Sequence, residues 1–232
     1  IEMNILILVG GPTACGKSTF VKKLSMTLEE SKIYRRVQGF FDIGHMRGLD
    51  NKDIFDKVTS EDVDDWFVKY CEDNKVVISD VHYAVQMNRN ELIQKENDDI
   101  NENYLPTISK NLLTKLKLAN IVVVAVWLEC NPETCYKRAI QRFENSEKVL
   151  RTKSIEDAQL ESFSEKKSWL EILKNNNVSG IILDSQYMSL TEMAKICYAQ
   201  IQSIKETNNC IILSKKLECK YSIIKLNMEV NL

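Results

Sequence analysis

The chain has 232 residues, 44% of them hydrophobic, and a formal net charge of −2. That length suits one α/β domain with a small appendage, and the apolar fraction supports a packed core. The charge excludes a global basic field for nucleic acid, and three prolines and seven glycines are too few for long disordered linkers.

The seven cysteines form no CxxC, which argues against a zinc ribbon or a thioredoxin motif. They read as reduced, buried thiols of a cytoplasmic protein. No basic stretch precedes the short apolar run Ile5–Val9, so no signal peptide is expected. No window reaches the roughly 18 apolar residues of a membrane helix. Ile1 and Glu2 read as a cloning remnant, with Met3 the natural start.

Ile5–Val9 is a first strand. The loop Gly11-Pro12-Thr13-Ala14-Cys15-Gly16-Lys17-Ser18 follows, and a helix continues from Phe20 to Leu28 with Val21, Leu24 and Leu28 at helical spacing. The loop fits the pattern G-x-x-x-x-G-K-[ST] at every fixed position. Between a strand and a helix N-terminus, such a loop aims backbone N–H groups and the helix dipole at phosphate. Gly11 to Thr19 is therefore the expected ATP-binding segment. Lys17 is assigned to the β and γ phosphates and Ser18 to Mg²⁺. Cys15 is read as a small residue at a variable loop position.

Val37–Phe41 is expected as a second strand. It ends at Asp42, in a turn punctuated by Gly44 and Gly48. Thr59-Ser60-Glu61-Asp62 opens a helix by its capping signals. Its core face is Val63, Trp66, Phe67, Tyr70 and Cys71. A third strand, Lys75–Ser79, leads to Asp80 and His82. Residues 84–103 are polar, with weak periodicity, and read as a mobile excursion. Ser109–Leu118 is a helix. Ile121–Leu128 is apolar throughout, as in a central parallel strand. Asn131 caps a helix that starts at Pro132 and runs to about Phe143. Ser154-x-x-Asp157 starts another, to about Lys174. Gly180–Leu183 is a fifth strand and Thr191–Ile204 a final helix. Cys210–Leu213 and Tyr221–Leu226 can pair as a hairpin.

Strands alternating with helices predict a phosphate-loop α/β fold, a five-stranded parallel sheet with helices on both faces. Residues 1–204 form the kinase-like domain, with a small lid at about 138–153. Residues 205–232 form a β-hairpin appendage, a candidate surface for a protein partner.

Phosphate binding alone does not define a reaction. In this fold class the carboxyl ends of strands converge on the ligand crevice, which makes Asp80 a candidate for Mg²⁺ through its waters. His82, two residues on, shares its side if the strand continues. Asp42 and Arg47 are candidates for the acceptor. Arg138 and Arg142 are four residues apart and share a helix face, and Arg151 lies in the next loop. Planar cations suit charge leaving a migrating phosphoryl group, so the three arginines are read as a lid over ATP.

At this point the chain resembles the archaeal-type adenylate kinases, within the nucleoside monophosphate kinases. The matching patches, in order, are the phosphate loop, Phe41-Asp42-Ile43-Gly44, Val77-Ile78-Ser79-Asp80-Val81-His82, Tyr104-Leu105-Pro106, and Ile121–Leu128 followed by Asn131-Pro132-Glu133 and Lys137-Arg138. The resemblance implies an ATP- and Mg²⁺-dependent kinase, with Tyr104 beside the acceptor. The family's glycines around Tyr-Leu-Pro are absent, with Asn103 before and Thr107 after, so the acceptor stays open. A kinase for a hydroxyl acceptor and a nucleotide-dependent switch with weak ATPase activity are the alternatives.

Overall fold

The computed structural model describes residues 4–80, 110–145, 154–176, 178–207, 212–214 and 222–224. The described elements, in order, are β1 (Ile5–Gly10), α1 (Lys17–Thr27), β2 (Ser31–Ile33), α2 (Arg36–Met46), α3 (Asn51–Lys57), α4 (Ser60–Glu72), β3 (Val76–Asp80), α5 (Lys110–Leu118), β4 (Val122–Glu129), α6 (Pro132–Glu144), α7 (Ile155–Asn176), β5 (Ser179–Asp184), α8 (Leu190–Thr207), β6 (Ile212–Ser214) and β7 (Ser222–Ile224). The sheet order is β2-β3-β1-β4-β5-β6-β7. Its first five strands are the parallel sheet of the phosphate-loop α/β fold, flanked by helices.

The chain forms two compact units, one of Ile1–Leu8 with Glu30–Val123, the other of Val9–Glu29 with Val124–Leu232. In the first, β2 pairs in parallel with β3, Lys32 opposite Val77. Every residue of β3 is buried. Thr59 and Asp62 form a reciprocal capping box that starts α4, and Val63, Phe67 and Cys71 are buried along one stripe of it. Ile43, Ile54, Val58 and Val63 make a small core that Phe41, Leu49 and Trp66 cover.

The expected strand 37–41 is not formed; α2 occupies that stretch, and the second strand is Ser31–Ile33. Asp42 therefore sits inside a helix rather than at a strand end. The reason is the period of burial. Gly39 and Ile43 are buried four residues apart, as one helix face requires. Gly39 and Gly44 also remove bulk where neighbours approach. A Cβ at Gly44 would lie 2.1 Å from Ile54 Cγ1, and one at Gly39 would lie 3.2 Å from Val63 Cγ1. The expected turn at 42–48 is mostly helix too, and Gly48 closes it. With φ at +68°, Gly48 donates to the His45 carbonyl at 3.0 Å, and Leu49 donates to the Gly44 carbonyl at 2.9 Å. That pattern is a Schellman close.

In the second unit, β5 pairs in parallel with β4, Val126 opposite Ile181. The hairpin also finds its place. β6 pairs in parallel with β5, and β7 runs antiparallel to β6. Asn131 accepts the Glu133 amide at 2.8 Å and Pro132 opens α6, as the sequence predicts. On α7 the buried stripe is Ala158, Glu165, Trp169 and Leu173. Trp169 packs on Trp127 with ring centroids 5.6 Å apart. No described helix is long and apolar enough to cross a membrane.

Candidate functional site

The loop after β1 lies wholly in the second unit. Gly11 has φ at +146°, and a Cβ there would meet the Leu128 carbonyl oxygen at 2.6 Å and Cys15 Sγ at 2.7 Å. Only glycine fits both the backbone and that space. Gly16, with φ at +101°, is the N-cap of α1, and its carbonyl accepts the Phe20 amide at 3.0 Å. Ala14 also takes a left-handed conformation, with φ at +63°. Lys17 Nζ donates to the Pro12 carbonyl at 2.8 Å and to the Gly11 carbonyl. Ser18 and Thr19 are exposed at the helix start, where amides and the dipole favour an anion.

Cys15 is buried, and burial pushes its thiol up despite the nearby Lys17. Glu165 on α7 lies near the same ammonium. It is 4% exposed, and burial lifts its carboxyl to about 7, with Lys17 pulling it back down. Its neighbour Lys166 pairs with Glu129 at the end of β4. Glu165 was not among the expected site residues. Its signal was an acid on the apolar stripe that carries Trp169 and Leu173.

Beside the loop is a cavity of about 260 Å³, lined by Cys15, Gly16 and Thr19, by Arg138 and Arg142, and by Ser185, Met188, Leu190 and Met193, among others. The structure thus brings the two expected arginines to the loop. Sequence reasoning missed the opposite wall, because Met188, Leu190 and Met193 follow β5 without any motif. Arg138 Nη1 lies 3.6 Å from Cys130 Sγ. Cys130 and Cys135 interact side chain to side chain. The Cys135 thiol, Arg138 and Ser185 hold Cys130 below the ordinary thiol range against the opposing effect of burial. Cys135 is pushed up as the donor of the pair and by burial.

The first unit carries Asp80, Asp42 and Arg47. Asp80 ends β3 and is buried; Arg35 Nε lies 3.5 Å from its Oδ1, an ion pair too long to serve as a hydrogen bond. That oxygen has no hydrogen-bond partner among the described residues. Asp42 accepts Tyr34 Oη at 2.9 Å and Gln38 Nε2 at 2.8 Å. Burial, then that bond, raises the Tyr34 phenol, so it stays the donor. Tyr34 stacks on Tyr70, centroids 4.1 Å apart. Arg47 is tied to Asp62 at 2.8 Å. Its guanidinium holds the Asp62 carboxyl down at about 2. His82, Tyr104 and Arg151 lie outside the described residues, as do the excursion at 84–103 and most of the expected lid. Among the described residues no group of three or more His, Cys, Asp or Glu is set to hold a metal ion by itself.

A protein-family model described as "AAA domain" (AAA_18) matches residues 7–161. No curated protein matches the chain. Three of the similar solved structures are the following. A shikimate kinase from Acinetobacter baumannii in complex with shikimate shares 14% identity at a TM-score of 0.46, over 88% of this chain and 95% of that one. A gluconokinase from Sinorhizobium meliloti 1021 shares 11% at 0.46, over 90% and 97%. A deoxyadenosine kinase from M. mycoides shares 16% at 0.43, over 86% and 100%. Identities and TM-scores this low carry no argument about substrate.

Proposed function

The chain belongs to the AAA domain family AAA_18, and from that premise we propose that it transfers a phosphoryl group from ATP to a small acceptor, with a nucleoside monophosphate as the leading candidate. The observation that carries this is the union, in one compact unit, of the loop with Lys17 and a cavity walled by Arg138 and Arg142. ATP phosphates fit the loop from Gly11 to Thr19, and the base fits the apolar wall of Met188, Leu190 and Met193. Lys17, Arg138, Arg142 and Arg151 are proposed to take the charge that develops on the migrating phosphoryl.

Ser18 and Asp80 are the proposed Mg²⁺-side groups. The fit rests on donor chemistry: an exposed hydroxyl at the loop's end, and a buried carboxylate oxygen without a hydrogen-bond partner. Bound Mg²⁺ would neutralise charge on the β and γ phosphates. Asp42, Arg47, His82 and Tyr104 are the proposed acceptor residues. The segment 205–232 is proposed as a protein contact.

A second reading is a hydroxyl acceptor. The observation in its favour is Glu165, a buried carboxyl near Lys17 that titrates at about 7, where a general base works best. An ADP-release screen over all ribo- and deoxyribonucleoside monophosphates, with nucleosides as controls, tests both. Release with a monophosphate supports the leading reading. Release only with hydroxyl compounds, with a carboxylate limb in the pH–rate profile, replaces it with the second. Slow hydrolysis unchanged by any acceptor overturns both in favour of a nucleotide switch.

A further inference from the structure

The cap of α6 does more than start a helix. Asn131 is its N-cap and Pro132 its first helical residue. Cys130 and Cys135 therefore occupy the positions just before the cap and one turn into the helix. At those two positions side chains ordinarily pack as a hydrophobic staple. Here the staple is made of two thiols, in side-chain contact and both buried. Arg138, one turn further, puts Nη1 3.6 Å from Cys130 Sγ; Ser185 also lies beside that sulfur, with the Asp184 carboxylate acting against the thiolate, and both Arg138 and Ser185 line the cavity.

We propose that Cys130 and Cys135 form an oxidisable dithiol, a modification site at which a hydroperoxide converts the staple into an intramolecular disulfide. The Cys130 thiolate attacks the terminal peroxide oxygen. The O–O bond breaks, and hydroxide or alkoxide leaves, taking up the proton that Cys130 gave up. Cys135 then attacks the sulfur of the Cys130 sulfenic acid. The S–O bond breaks, and water leaves with the Cys135 proton. Two thiols lose two electrons, and the peroxide is reduced to water or alcohol.

Three features favour this pair. The cation and the thiol donor beside Cys130 stabilise its thiolate, the nucleophilic form. Cys135 stands ready as the resolving thiol. Burial pushes the Cys15 thiol up despite Lys17, whereas Cys130, also buried, is held down by its neighbours. Oxidation also ties up the sulfur that lies 3.6 Å from Arg138 Nη1, and Arg138 lines the cavity. That last link rests on the cavity being the nucleotide site; the thiol chemistry does not.

The test uses the full reduced chain treated with hydrogen peroxide, blocked by alkylation and mapped by peptide mass spectrometry. The expected product is a disulfide between Cys130 and Cys135, with the mass loss of two hydrogens, reversed by dithiothreitol. Cys135→Ser should stop at a Cys130 sulfenic acid that dimedone captures. Cys130→Ser should lower dimedone capture about tenfold, since the stabilised thiolate is gone. The wild-type mapping stands even if a variant fails to fold. A first disulfide that involves Cys15, Cys71 or Cys197 overturns the proposal, as does equal capture in the two variants. ADP with Mg²⁺ should slow oxidation severalfold. Unchanged oxidation with ADP bound overturns the link to the cavity, whereas absence of ADP binding by calorimetry overturns the nucleotide reading and leaves the dithiol standing.

Discussion

Lys17 Nζ donates to the Pro12 carbonyl at 2.8 Å, within its own loop. The ammonium has folded onto backbone oxygens that bound phosphates would replace. Lys17→Ala should lower kcat by roughly 10²–10³, the usual loss for removing one donor to transition-state charge. Far-UV circular dichroism should not change. A kcat within threefold of wild type would take Lys17 out of the mechanism.

The two loop glycines should respond differently to alanine. At Gly11 the new Cβ meets the Leu128 backbone oxygen at 2.6 Å, which cannot swing aside, and the φ of +146° is itself unfavourable. Gly11→Ala should cost about 2–5 kcal/mol from steric overlap and backbone strain together. At Gly16 nothing lies within 4 Å, so only the backbone cost remains, about 1–2 kcal/mol. Urea denaturation at fixed pH gives both numbers. Equal losses would contradict the packing described.

Glu165 makes a pH signature. Its folded-state carboxyl titrates at about 7, raised by burial from its ordinary value of 4.5. The folded state thus holds the proton more tightly than the unfolded chain. This contribution to stability is fully present below pH 4.5, is lost as pH rises, and is gone above about 7. The loss is at most roughly 3 kcal/mol. Glu165→Gln should remove that slope, so its denaturation midpoint should exceed the wild-type value at pH 8 and match it near pH 4.5. Identical slopes in the two proteins would show that Glu165 is not buried in this way.

Met188 lines the cavity from the segment after β5 and is half-buried. Met188→Trp should fill space in the 260 Å³ cavity with little effect on the core. ADP affinity should fall at least about tenfold, or 1.4 kcal/mol. Titration calorimetry reads the change. Undiminished binding would place the base elsewhere.

What the sequence made legible follows local chemistry. The loop, the Thr59 and Asn131 caps and the unbroken apolar run of β4 each carry their own signal, and each lies where that signal predicts. α2 carries none. Its N-cap is Arg35 with no side-chain bond, and its interior includes Gly39 and Gly44, ordinarily helix breakers. Those glycines are explained only by Val63 and Ile54, which approach from other helices. β2 is three residues, mostly exposed, too short for alternation to appear. Asp50, by contrast, caps α3 in the ordinary way through the Asp53 amide, a local signal of the same kind. The cavity was half legible. Arg138 and Arg142 follow helical spacing, while Met188, Leu190 and Met193 are joined to them only by the fold.

The packed indoles of Trp127 and Trp169 have an optical consequence. Both are 1% exposed, their rings are inclined at 49°, and neither Nε1 has a hydrogen-bond partner among the described residues. A Cβ at Gly10, next to the phosphate loop, would sit 3.2 Å from Trp127 Cε3. Two dry, inclined indoles at this separation should emit at short wavelength and give a near-ultraviolet couplet. The chain's third tryptophan, Trp66, belongs to the other unit. The couplet therefore reports on the loop-bearing unit by itself, a label-free signal for titrating nucleotide and for following that unit as it melts.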